Sequence, residues 1–291
     1  MAPIDATLLT DPGCPWAYSA IPALRVLDWR YGDQISWRLV MIGLTEDASQ
    51  YEARGYTPEG NLIGNLEFRD RFGMPFSLIA KGRIAATGRG CRAVVAARLA
   101  DPGSEWRALR ALQLANFTTP LVLDDDASVL AALRGVDGVD AAAIAASLGS
   151  PEVEEAYQRD RAEARTAGGS PAAMQDKTAM TDGPVRFTAP SVVLEREGMR
   201  LVAGGWQSVD AYDVLVANID PSLRRMGPPR SVESLLARYP EGLVTREVAA
   251  LMTGGNDEID ETTVETALLV LVAAGRARRL PLGQSALWTA A

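Results

Sequence analysis

Histidine is absent from this 291-residue chain, and cysteine occurs only twice, at Cys14 and Cys91. The first absence removes every Ser-His and Cys-His nucleophile arrangement. With no imidazole, two thiols cannot supply a closed set of soft zinc ligands. Two cysteines also exclude a disulfide scaffold and fit a reducing compartment. No run approaches the roughly eighteen apolar residues of a membrane span, and no basic segment followed by an apolar one opens the chain as a signal peptide would. An excess of cations is lacking too: 29 Lys and Arg face 37 Asp and Glu, a net charge of −8. That balance disfavours broad binding to nucleic acid or to an anionic membrane. The expectation is a cytoplasmic protein whose nucleophile is activated by backbone donors and a helix dipole.

What the chain does contain is an ordinary globular composition, 47% hydrophobic and 23% charged, over a length that suggests two or three domains. The most informative stretch is Asp11-Pro12-Gly13-Cys14-Pro15-Trp16-Ala17-Tyr18. It follows a β-prone run, Ala6 to Thr10, and opens a helix-compatible segment from Pro15 to Tyr31. Proline at the first helical position loses no hydrogen bond and presets φ. Cys14 would then sit at a helix N-terminus, where free N–H groups and the macrodipole favour an anion. Such a place can lower a thiol pKa from about 8.5 into the range of roughly 3.5–7.5. The expectation is a stabilised thiolate; the plainer alternative is a small buried hydrophobe.

These eight residues resemble the active-site turn of the DsbA-like branch of the thioredoxin superfamily, particularly the FrnE-type proteins and their isomerase and kappa-class glutathione transferase relatives. Dithiol members read Cys-Pro-Trp-Cys there, whereas this chain has Ala17 in place of the second cysteine. The resemblance implies a thioredoxin-like α/β core with a helical insertion. It also implies a cis-proline opposite the cysteine, and Thr188-Ala189-Pro190 matches that place in chain order, just before a strand. On this reading Ala189 and Pro190 align a thiol-bearing partner, and Trp16 walls the site.

The rest of the chain is compatible with such a core. A second strand is expected from Ile35 to Gly43, giving a β-α-β unit with parallel strands. From Pro58 to about Leu148 the pattern turns alanine-rich and helical. Cys91 shares a helical face with Val94, Val95 and Leu99, which favours a core position over a resolving thiol. Asp124-Asp125-Asp126 reads as acid at a helix start rather than a metal site. Ala167 to Gly183 reads as a loop. After it, a strand near Ser191 to Leu194 turns at Gly198 and pairs back through Arg200 to Ala203. Ser208 then reads as a helix N-cap; the resemblance to the transferases adds that this helix end could receive a carboxylate of glutathione.

Gly227-Pro228-Pro229 marks a linker. Beyond it, three helices and a small hairpin resemble a winged-helix module. Residues 229–291 hold six arginines, no lysine and eight acids. DNA binders owe most of their affinity to phosphate neutralisation, so a packing or homodimer-forming module is expected instead.

The domains are accordingly read as a discontinuous thioredoxin-like core over 1–57 and 151–226, a helical insertion over 58–150 and a winged-helix-like C-terminal domain over 229–291. The expected activity is thiol–disulfide exchange through the single nucleophile Cys14, with a small or protein thiol as partner. No permanently bound cofactor is implied beyond glutathione or another low-molecular-weight thiol. Two other classes remain open: a glutathione-dependent transferase or isomerase of the kappa or chromene-carboxylate type, and a redox-inactive binding or scaffold protein.

Overall fold

The structure is a computed structural model and describes residues 3–254 and 257–291. Its centre is strand β1 (Ile4–Thr10), buried at six of seven positions, as a strand covered on both faces must be. Helices α1 (Pro15–Ser19) and α2 (Ile21–Tyr31) carry the chain across to β2 (Ile35–Met41). The two strands run parallel, with Ile4 beside Ile35 and Thr10 beside Met41.

The segment from Pro15 to Tyr31 is therefore two helices rather than the one its composition suggests. Pro22 explains the break at Ala20. A proline has no N–H to give, and its ring clashes with the carbonyl four residues back, here that of Tyr18.

Helices then follow in series: α3 (Ser49–Glu52), α4 (Pro58–Phe72), α5 (Gly88–Ala100), α6 (Ser104–Thr118), α7 (Asp126–Leu133), α8 (Ala141–Ser147) and α9 (Pro151–Ala164). The acidic run belongs to this series as expected: Asp125 caps α7 by accepting the Ser128 N–H, Asp124 pairs with Arg83 and Asp126 with Arg89. The stretch expected to be a plain loop, Ala167 to Gly183, holds a short helix, α10 (Pro171–Met174), and a strand, β3 (Thr178–Ala179), which pairs with β4 (Arg186–Phe187). Two-residue pairing of this kind leaves little periodicity to read.

β5 (Ser191–Arg196) returns antiparallel beside β1, with Leu8 opposite Val192. It turns through Glu197 and Gly198, both at positive φ, the twist that suits a tight hairpin. β6 (Met199–Gly204) then closes the sheet in the order β2-β1-β5-β6. α11 (Val209–Ile219) follows, capped by the Ser208 hydroxyl, which accepts the Ala211 N–H.

The remaining residues form α12 (Val232–Arg238), β7 (Leu243–Val244), α13 (Thr245–Met252), α14 (Glu261–Ala273), β8 (Ala277–Leu282) and β9 (Ser285–Ala290). This tail packs around Leu235, Leu243, Val248, Leu268 and Trp288, a cluster that also takes in Val26 of α2. It is also fastened to the body. Arg110 of α6 donates to both oxygens of Glu247 at 2.8 Å and to the Gly242 carbonyl at 2.7 Å. Arg25 of α2 donates to Glu241 at 2.8 Å and to Glu247 at 3.4 Å. No helix among the described residues is long and apolar enough to cross a membrane.

Candidate functional site at Cys14

The turn between β1 and α1 is shaped by one buried carboxylate. Asp11 accepts the Gly13 N–H at 2.8 Å through Oδ1, a side-chain turn of the kind aspartate favours. Its other oxygen accepts the Leu44 N–H at 2.9 Å, the Thr87 hydroxyl at 2.8 Å and the Cys91 thiol at 3.3 Å. Asp11 thus ties the turn to the end of β2 and to the start of α5. Burial pushes its pKa up, against these hydrogen bonds, which favour the ionised form.

Cys14 follows as the N-cap of α1, with Pro15 in the first turn. Its thiol donates to the Ala189 carbonyl at 3.2 Å, and the Ala189–Pro190 bond is cis. The sulfur lies on the floor of a cavity of about 680 Å³, with the residue only 4% exposed. The α4 helix forms much of the far wall. Trp16 stands edge-on to Phe68, ring centroids 5.0 Å apart, and to Phe72 at 5.6 Å, while the Arg71 guanidinium lies 5.6 Å from its centroid.

The expected stabilised thiolate is not what this geometry gives. Burial raises the Cys14 pKa to about 12, Asp11 nearby adds to the rise, and the Ala17 and Trp16 N–H groups and the Arg186 charge only partly oppose it. Magnitudes explain the outcome. Full burial shifts a titratable group by as much as about 3–5 units, whereas a helix end contributes roughly 0.3–1 kcal/mol, and α1 is five residues long. Alkylation of Cys14 in a Cys91→Ala background is therefore expected to be slow at pH 7 and to climb steadily into the alkaline range. A plateau reached below pH 8 in a rate–pH profile would contradict this.

Of the residues singled out from sequence, Cys14, Pro15, Trp16, Thr188 and Ala189 line the cavity. Ala17 lines a different cleft on the other side of α1. Pro190 holds the Ala189 carbonyl against the thiol without lining the cavity, and Ser208 is occupied with capping α11. Cys91 is fully buried in α5, as its helical face suggests, and does not line the cavity.

Sequence reasoning missed the charge of this cavity. Arg54, Lys81, Arg83 and Arg186 line it, and no aspartate or glutamate does among the described residues. Arg83 is held from behind by both oxygens of Asp124. The Lys81 ammonium donates to Asn116 and to the Leu121 carbonyl, each at 2.6 Å, and burial lowers its pKa to about 8. Arg186 is 7% exposed. It donates to the Thr181 hydroxyl and the Phe187 carbonyl, with no carboxylate among the described residues in salt-bridge contact. Its place just ahead of the Thr188-Ala189-Pro190 turn was the only hint in the sequence.

No protein-family model matches the chain, and no curated protein matches its sequence. Solved structures do match. The cytosolic disulfide reductase DsbM from Pseudomonas aeruginosa superposes with a TM-score of 0.53 at 19% identity, covering 75% of this chain and 100% of that one. The same reductase with GSH gives a TM-score of 0.50 at 19% identity, over 74% of this chain and 98% of that one. A probable DsbA oxidoreductase from Streptomyces coelicolor gives 0.55 at 14% identity, over 77% and 92%.

Proposed function

We propose that this chain, which has the DsbA-like thioredoxin fold, performs thiol–disulfide exchange through Cys14 alone, with a small anionic thiol as its partner. The supporting observation is the position of the sulfur, on the floor of a wide cavity and against the carbonyl of a cis-proline turn. In the first step the Cys14 thiol loses its proton to solvent. The thiolate then attacks one sulfur of a disulfide, forming a mixed disulfide and releasing the other half as a thiolate. In the second step an external thiolate attacks the partner's sulfur in that mixed disulfide, forming a new small disulfide and returning Cys14 as thiolate. Ala17 cannot resolve the intermediate, so the external thiol is obligatory.

The lining supports an anionic partner. Arg54, Lys81 and Arg186, none of them in an ion pair among the described residues, would attract carboxylates in a protein whose net charge is −8. Arg186, buried and without an ion-pair partner, is the group that a substrate carboxylate would neutralise. That the DsbM reductase has been solved with GSH is consistent with a ligand of this kind.

The test compares two small disulfides of opposite charge, glutathione disulfide and cystamine, by intact mass and by rate. The anionic one should form the Cys14 adduct at least about tenfold faster, and Arg186→Gln should erase most of that difference. Equal rates would remove the charge argument. The burial of the sulfur favours one second reading, a site that binds a small thiol without exchanging with it. Saturable binding of reduced glutathione with no adduct from the disulfide at any pH would establish that reading instead.

We propose that the tail is a winged-helix-like module; its helices and its sheet order β7-β9-β8 support that reading. We read it as a packing module. α14, the third helix of that arrangement, carries Glu261 and Glu265 and no cation, which suits a phosphate backbone poorly.

A further inference from the structure

We infer that a cleft between α2, α6 and the tail is a second ligand site, suited to a small apolar carboxylate. The cleft has a volume of about 310 Å³ and is separate from the cavity over Cys14, although Ala17 of α1 forms part of its wall. That is the size of a small-molecule pocket. Its walls are chiefly apolar, with Leu24, Trp37, Trp106 and Leu109 supplying the surface.

The charged groups in these walls include three arginines, Arg25, Arg107 and Arg110, and two carboxylates, of which Asp28 accepts the Tyr239 hydroxyl at 2.9 Å and Glu241 pairs with Arg25. Arg25 is satisfied by Glu241 and Glu247, and Arg110 gives its two terminal nitrogens to Glu247 and Gly242. Arg107 has no hydrogen-bond or ion-pair acceptor among the described residues. Its guanidinium occupies space left by Gly138, where a Cβ would come within 2.6 Å of Nη2. Three lining residues also carry a shielded N–H without an acceptor: Trp37 Nε1, Arg107 Nε and Arg110 Nε. Every unmet group is a donor. Leaving a buried donor unmatched costs roughly 1–3 kcal/mol, and an unpaired cation at an apolar wall adds to that.

A ligand seated in the cleft would bring an oxygen anion to the terminal nitrogens of Arg107, whose Nε is shielded, and an apolar body to lie along the two tryptophans. An aryl or branched-alkyl carboxylate does both. A phosphate ester suits the cleft poorly, because its second charge would meet apolar walls and the carboxylates of Asp28 and Glu241 that also line the cleft.

The probe is 2-naphthoate, with neutral 2-naphthamide as its isostere, titrated calorimetrically into the full chain with tryptophan fluorescence read in parallel. Naphthoate should bind saturably, at least tenfold more tightly than the amide. Arg107→Gln should cost about tenfold, and Leu24→Trp, which fills the cleft without altering its charge, should abolish binding in a protein of unchanged circular dichroism. Arg186→Gln should leave naphthoate binding unchanged. Equal binding of acid and amide, no effect of Arg107→Gln, loss on Arg186→Gln, or no saturation into the millimolar range would each overturn the assignment.

Discussion

Replacing Cys14 with serine is expected to abolish adduct formation and to reduce exchange to the uncatalysed background. Serine keeps the shape of the side chain and can still donate to the Ala189 carbonyl, so the turn and the cavity should survive. What it lacks is a sulfur able to form the mixed disulfide. The companion Cys91→Ala protein should keep the adduct and its rate, because Cys91 is fully buried and its thiol faces Asp11 rather than the cavity. Intact mass after incubation with glutathione disulfide, with alkylation of any remaining thiol, decides between them. An adduct on the Cys14→Ser protein in its folded state would move the chemistry to Cys91 and end the single-cysteine proposal.

The second large effect concerns stability. Glu247 is fully buried. Burial pushes its pKa up, but the charge and hydrogen bonds of Arg110, with help from Arg25 and the Val244 N–H, outweigh this and hold it below the ordinary 4.5. Arg110→Met should therefore destabilise the chain by about 3–5 kcal/mol, the usual cost of leaving one buried charge without its partner. Arg25→Met should cost much less, since that side chain is 21% exposed and its contact with Glu247 is longer.

The pH dependence distinguishes the variants. In the parent, the folded pKa of Glu247 is lowered, so its contribution is present above pH 4.5 and is lost as pH falls through the folded value. In Arg110→Met the folded pKa moves above the unfolded one, so stability should recover as pH falls and the carboxylate is neutralised. Denaturant midpoints between pH 4.5 and 7.5 should be nearly flat in the parent and rise toward acid in Arg110→Met. Parallel slopes would mean that Glu247 is not the group responsible.

Much of the scaffold was legible because local rules govern it. Pro15 and Gly13 mark the turn before α1, Gly198 marks the β5–β6 hairpin, Ser208 is the N-cap it resembles, and Asp125 caps α7. Pro22 was equally visible, yet its consequence was missed: it divides the segment from Pro15 to Tyr31 and leaves Cys14 on a five-residue helix with little dipole behind it. The pairing of β3 with β4 left no periodic trace, since two residues a side are too few to alternate.

The sequence by itself determined that this chain carries one cysteine at a DsbA-like turn, that Ala17 cannot resolve a disulfide there, and that no histidine can activate the thiol. Those are facts of residue identity and near-neighbour spacing. The state of the sulfur was decided only by tertiary structure. Ala189, 175 positions away, receives the thiol proton in a hydrogen bond, and the surrounding segments remove it from water. Solvation and electrostatics depend on everything within several ångströms, whatever its place in the chain. The same reason hid Arg186 beside Cys14 and Arg107 in the second cleft: an arginine's charge is visible in a sequence, but whether a carboxylate stands opposite it is settled by packing.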